Sequence, residues 1–268
     1  MAALWSAALN GGRVLTNTVV LFLLAMLLGP EAFGTVAIAT IYIVLLQLAF
    51  QQGLAPALVA RSRLDDGILD VAFRLALAGA TALVVVTLAL AWPLGAVFRS
   101  PDLPVVLAAL AILLPLMALD LVPNSLARRR SDYRLLALRG NIATVVGGVA
   151  GVLSAVFGLG IWSLVIQQLV TGFVSTALLL KRTEWRPRFK GNPAPNRRAV
   201  RRELLGYSTR ASATATTQVL AQNLDALLTG LLLGPRAVGL YRLAARLAST
   251  VTDLSIRSGQ AAALPDFR

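Results

Sequence analysis

The chain has 268 residues, 57% of them hydrophobic and 14% charged, with a mean hydropathy of +0.75. That excludes an ordinary soluble domain, which carries far more charge. Cysteine and histidine are both absent, which removes disulfides, thiolate metal sites, the commonest metal ligand and the commonest general base.

Apolar stretches long enough to cross roughly 30 Å of hydrocarbon fall at 4–28, 35–59, 70–97, 103–124, 139–157, 160–180, 205–232 and 238–261. They predict an all-α, polytopic membrane protein of eight transmembrane helices. Strand alternation is absent, which argues against a β-barrel. The first stretch lacks a basic n-region and is too long for a signal peptide, so it is expected to remain as a helix. Helix one carries Asn10, Arg13 and Asn17, and helix two carries Thr40, Gln47 and Gln51. Arg74 and Arg139 fall near helix ends, where long side chains snorkel to the interface. Asp120 precedes Pro123 in helix four. In helix five, Gly147, Gly148 and Gly151 include a GxxxG spacing that suits close helix packing. Residues 181–203 are polar and contain Pro187, Pro193 and Pro195, so they form a linker rather than a span. Helix seven carries Arg210, Thr214, Thr217, Gln218 and Asp225; helix eight carries Arg242, Arg246, Ser249, Thr250, Asp253 and Arg257.

Leu28-Gly29-Pro30-Glu31-Ala32-Phe33-Gly34 returns as Leu233-Gly234-Pro235-Arg236-Ala237-Val238-Gly239. Each copy sits between two apolar segments and fits a tight turn, with glycine at the turn and proline opening the next helix. Such a repeat reads as an internal duplication, a common design in transporters. The expected organisation is a six-helix repeat over 1–180, a basic cytoplasmic linker over 181–203, and the incomplete start of a second repeat over 204–268. Six helices separate the two turns, so the repeats are expected to be parallel. The net charge of +13 is unevenly placed. Basic residues crowd the loops after helices two, four and six, from Arg61 and Arg63 to Arg201 and Arg202, whereas the alternate loops hold only Arg99 and Arg236. This is the positive-inside pattern: it places the amino terminus in the cytoplasm and leaves no case for nucleic-acid binding. Contact of the basic loops with anionic membrane lipids follows from it.

Five stretches, LLGPEAFG (27–34), QQGLAPALVARSRL (51–64), PNSLARRRSDYRLLALR (123–139), FGLGIWSLVIQQLV (157–170) and NLDALLTGLLLGPRAVGLYRLAARL (223–247), resemble in their order and spacing the Wzx-type, colanic-acid-exporter-like polysaccharide flippases. These belong to the multidrug/oligosaccharidyl-lipid/polysaccharide superfamily, which includes the MATE exporters. The resemblance implies a MATE-like first lobe plus the first helix pair of a second lobe, around a central cavity. It implies export of polyprenyl-pyrophosphate-linked oligosaccharide precursors across the bacterial inner membrane, for surface polysaccharide or lipopolysaccharide. This chain is expected to be truncated relative to that family after its eighth helix.

Charges inside a bilayer are costly and usually face a cavity or partner. The four polar stripes lie on the first two helices of each repeat. On them Arg13, Arg210, Arg242, Arg246 and Arg257 outnumber Asp225 and Asp253. A guanidinium fork suits phosphate oxygens. The substrate-binding candidates are therefore Arg13, Arg242, Arg246, Arg210, Asn17 and Asp225, and Asp225 is expected to pair with Arg246 across the hairpin. No catalytic residue, cofactor or metal site is expected, and the protein is not expected to be an enzyme. The partners are the lipid-linked oligosaccharide and membrane lipids, with a proton or sodium ion as candidate coupling ion and other polysaccharide-assembly proteins as candidate associates. The alternatives are a MATE-like cation-coupled small-molecule exporter, for which the stripes have the wrong charge bias, and a non-transporting fragment of such a protein.

Overall fold

The computed structural model describes residues 19–61, 65–183, 185–186, 216–246 and 248. They form helices α1 (Val19–Leu28), α2 (Pro30–Ala60), α3 (Asp66–Val97), α4 (Leu103–Leu110), α5 (Leu113–Arg129), α6 (Tyr133–Val156), α7 (Trp162–Arg182), α8 (216–233) and α9 (235–246), with no strand among the described residues. Five spans within them are long and apolar enough to cross a membrane. The chain is a polytopic, all-α membrane protein.

Helix boundaries follow proline and glycine more closely than the edges of hydropathy. Pro30 stands at the start of α2, and Gly29 before it has φ 76°. The helix therefore begins at once, at residue 30 rather than 35. The second motif copy behaves alike: Gly234, with φ 82°, is the single residue between α8 and α9, and its amide bonds the carbonyl of Gly230. Left-handed backbone of this kind costs a side-chain-bearing residue more than it costs glycine.

The expected fourth helix is broken. Pro115 has no N–H to give the carbonyl of Ala111 and its ring crowds that oxygen. The Leu114 amide bonds Ala111 instead, at 3.0 Å, and the chain turns between α4 and α5. The basic loop expected after it is also short. Arg128 and Arg129 belong to α5, Arg134 and Arg139 to α6, and Asp132 caps α6 by accepting from the Leu135 amide.

α6 and α7 are the most extensively packed pair. In lipid, helices associate through close packing of small residues rather than through expulsion of water. A Cβ at Gly147 would lie 2.0 Å from the Thr171 hydroxyl, and one at Gly151 would lie 2.8 Å from Gln167 Cβ. The GxxxG spacing is thus a packing device that brings α7 against α6. Gly148 packs against Val20 of α1. Hydroxyls of Thr40, Thr81, Thr87, Ser125, Ser154 and Thr171 each donate to a carbonyl one turn earlier, which satisfies them within an apolar span. Lipid-facing side chains such as Val85, Trp92, Val149 and Leu153 remain exposed in the protein itself.

Arg139 does not simply snorkel. It forms an ion pair with Asp120 of α5, in which both side chains are mostly buried; Asp120 also accepts from Asn124, and Asn124 from Arg128. Asp120, placed only by its nearness to Pro123 in the sequence, thus ties α5 to α6 through Arg139.

Candidate functional site

The two motif copies meet. A Cβ at Gly34 would lie 1.6 Å from the Pro235 carbonyl oxygen, and a Cβ at Gly239 would lie 1.7 Å from that of Pro30. The first turns of α2 and α9 therefore touch backbone to backbone, in a contact that reads the same from either helix. A buried hydrogen bond between the Thr35 and Ser100 hydroxyls, 3.1 Å, holds this end of α2 to the turn before α4.

Beyond this contact lies a cavity of about 600 Å³, lined by residues of α1, α2, α7, α8 and α9. Its wall is apolar near Leu24, Phe33, Val36 and Ile41, and polar at Thr40, Gln167, Gln168, Asn223, Arg242 and Arg246. Thr40 and Arg242 lie about 15 Å and about 10 Å along their helices from the two turns. Thr40 falls within the Pro30–Leu48 span, which is long and apolar enough to cross a membrane. Close approach of α7 to α6 at Gly147 and Gly151 sets the position of Gln167 and Gln168.

Arg242 donates to the side-chain oxygen of Asn223, whose amide in turn donates to the Val219 carbonyl at 2.7 Å. The Arg242 Nε is buried without a hydrogen-bond partner among the described residues. Arg246 lies one turn further along the same helix. No carboxylate is among the described lining residues.

Of the six residues expected to bind substrate, Arg242 and Arg246 line this cavity. Arg13, Asn17 and Arg210 lie outside the described residues. Asp225 is not part of the lining: it sits exposed on another face of α8, where it accepts from the Tyr241 hydroxyl and the Ala226 amide. The expected pairing with Arg246 is replaced because α9 starts at residue 235, three residues earlier than anticipated. Facing residues are then Asn223 with Arg242 and Asp225 with Tyr241, centred near Leu233 rather than between Pro235 and Arg236. Thr40 accepts from Gln168 at 2.9 Å. Gln47, on the same stripe, borders a separate small void beside Ala76 and Met117. Gln167, Gln168 and Asn223 were not anticipated. Single amides in apolar helices give no stripe, and Asn223 lies off the stripe that contains Asp225.

The family model described as "Polysaccharide biosynthesis protein" matches residues 23–267. The chain belongs to this polysaccharide biosynthesis family. It is 31% identical over 185 residues to the succinoglycan biosynthesis transport protein ExoT of Rhizobium meliloti (strain 1021), a match covering 69% of this chain and 37% of that relative. The chain thus spans well under half of the relative's length. No solved structure matches the chain. Membership of this family agrees with the flippase-like resemblance of the motifs. The relative is a transport protein, in accord with a chain that performs no bond chemistry.

Proposed function

We propose that the protein takes part in moving polyprenyl-pyrophosphate-linked oligosaccharide precursors across the bacterial inner membrane, with its amino terminus in the cytoplasm. One observation carries the reading: Arg242 and Arg246, one turn apart, line a cavity between the helices whose described wall holds no carboxylate. An anionic headgroup is the ligand such a wall stabilises, because a guanidinium fork pairs with phosphate oxygens and leaves neither charge stranded in low dielectric. The lipid tails stay in the bilayer while the headgroup passes through the cavity. The match to a succinoglycan transport protein supports polysaccharide as the cargo. A cation-coupled drug exporter would favour carboxylates at this wall.

The organisation that serves this function is a first repeat over 1–180, a linker over 181–203, and a second repeat beginning at 204. The reciprocal Gly34–Gly239 contact supports parallel repeats related by an axis near the membrane normal, since it brings equivalent turns together at one depth. Arg13, Asn17 and Arg210 are proposed to join the cationic wall. A proton or sodium gradient is the proposed energy source.

The test is reconstitution of the chain in liposomes containing a fluorescent polyprenyl-pyrophosphate oligosaccharide, with flipping read by protection from a membrane-impermeant quencher. Arg242→Ala and Arg246→Ala should each slow flipping at equal protein incorporation, while Thr81→Ala on the lipid-facing side of α3 should not. Unchanged flipping in both arginine variants would end the cationic-wall mechanism. No flipping by the wild-type chain, alone or co-expressed with the remainder of a full-length relative, would end the transport reading.

A further inference from the structure

The helices around the cavity differ in chemistry. In its lining, α9 contributes Arg242 and Arg246, whereas α2 and α7 contribute Thr40, Gln167 and Gln168. We infer that Thr40, Gln167 and Gln168 form a hydroxyl-recognising wall, which binds the sugar next to the pyrophosphate while the arginines hold the phosphates. This rests on the function proposed above and adds a specificity site to it.

The hydrogen bonding fixes what this wall offers. The Thr40 hydroxyl donates to the Val36 carbonyl at 2.7 Å, so its proton is committed and its oxygen can only accept. It accepts from the Gln168 amide nitrogen at 2.9 Å. That determines which way the carboxamide is turned, and it leaves the Gln168 carbonyl oxygen without a partner among the described residues. Gln167 has fewer partners still. Its stem is held by Gly151, where a Cβ would come within 2.8 Å, yet its carboxamide makes no hydrogen bond to any described residue. An amide left unpaired in an apolar span is costly, and buried polar groups are almost always satisfied. A ligand rich in hydroxyls supplies the missing partners.

Sugar hydroxyls both donate and accept, and so do carboxamides. A neutral amide wall suits them, whereas it gives phosphate nothing that the arginines do not give better. The size agrees. Sites for small molecules measure about 300–1,000 Å³, and a cavity of about 600 Å³ accommodates a headgroup with its proximal sugar rather than a long glycan.

The experiment measures binding of two probes to the purified chain by quenching of its tryptophans. One probe is a short polyprenyl pyrophosphate, and the other is the same carrier bearing one hexose. Wild type should bind the hexose-bearing carrier more tightly. Gln167→Leu and Gln168→Leu should each weaken that carrier by about fivefold, the scale of one hydrogen bond, and leave the bare carrier unchanged. Thr40→Val, nearly isosteric, should weaken the hexose-bearing carrier in the same direction by releasing Gln168, which guards against misfolding of a leucine variant. Arg242→Ala should weaken both carriers. Equal binding of the two probes by wild type, or equal losses for both in the glutamine variants, would overturn the sugar wall and leave the phosphate reading standing. Insensitivity of both probes to Arg242→Ala would overturn the phosphate reading instead.

Discussion

Alanine at Gly34 would bring its Cβ to 1.6 Å from a backbone oxygen of Pro235, and alanine at Gly239 would do the same to Pro30 at 1.7 Å. Real Cβ contacts do not fall below 3.0 Å, so α2 and α9 must separate by about 1.4 Å in either variant. Neither obstacle is a flexible side chain, so repacking cannot absorb the methyl group. Overpacking of this kind costs about 1–3 kcal/mol, and the better helix propensity of alanine returns up to about 1 kcal/mol. A net loss of about 1–2 kcal/mol is expected for each variant, and the two should be similar because the contact is reciprocal. One displacement makes room for both methyl groups. The double variant should therefore lose little more than either single, giving a coupling energy of about 1 kcal/mol in a double-mutant cycle. Unfolding by a denaturing detergent, followed through tryptophan fluorescence, measures all four proteins. Losses that add to within about 0.5 kcal/mol, or a stabilising single variant, would refute the crossing as described.

Asp120→Ala should strand the Arg139 guanidinium and destabilise by about 3 kcal/mol, whereas Asp120→Ala with Arg139→Met should recover most of that loss; the same unfolding assay decides, and no recovery would mean that the pair is not what joins α5 to α6. Gly147→Leu should force α7 away from α6 and carry Gln168 off Thr40, so liposome flipping should fall further than melting stability does; equal flipping would detach the helix packing from the cavity. The chain contains no cysteine, so single cysteines can be placed without removing others. Cysteines at Glu31 and Arg236 should react with an impermeant thiol reagent from outside the cell and one at Arg130 should not; the reverse pattern would invert the proposed topology.

Hydropathy made the membrane class and the spans legible, because lipid imposes one solvent on some twenty residues at a time. The repeated Leu-Gly-Pro motif likewise announced both turns, since left-handed backbone and a helix start each demand a particular residue. What hydropathy blurs is register. Pro30 and Pro235 opened their helices earlier than the apolar edges suggested, and three residues rotate a helix by most of a turn. That shift gave Tyr241 to Asp225 and placed Arg242 opposite Asn223. Arg242 and Arg246 were found because charge inside a span is costly enough to mean something by itself. Gln167 and Gln168 were missed because an amide between Ile166 and Leu169 is as readily explained by helix association, and only the neighbouring α2 shows that a cavity lies there. The ion pair of Asp120 with Arg139 joins residues nineteen apart on different helices, a relation that no helical periodicity displays.

Contact without side chains has a mechanical meaning. At Gly34 and Gly239 two bare stretches of backbone lie against each other with no knob to interlock, so the crossing is a fulcrum rather than a lock. Thr40 stands about 9 Å from Gly34 along α2, and Arg246 about 10 Å from Gly239 along α9. Rocking one helix by about 15°, a common subunit rotation, would move either residue by only about 2–3 Å while the fulcrum itself scarcely shifts. The far end of α2, about 39 Å from Gly34 along the helix axis, would sweep several times that distance. A protein pivoted in this way can widen its mouth without releasing its grip: small travel at the polar wall, large travel at the opposite membrane face.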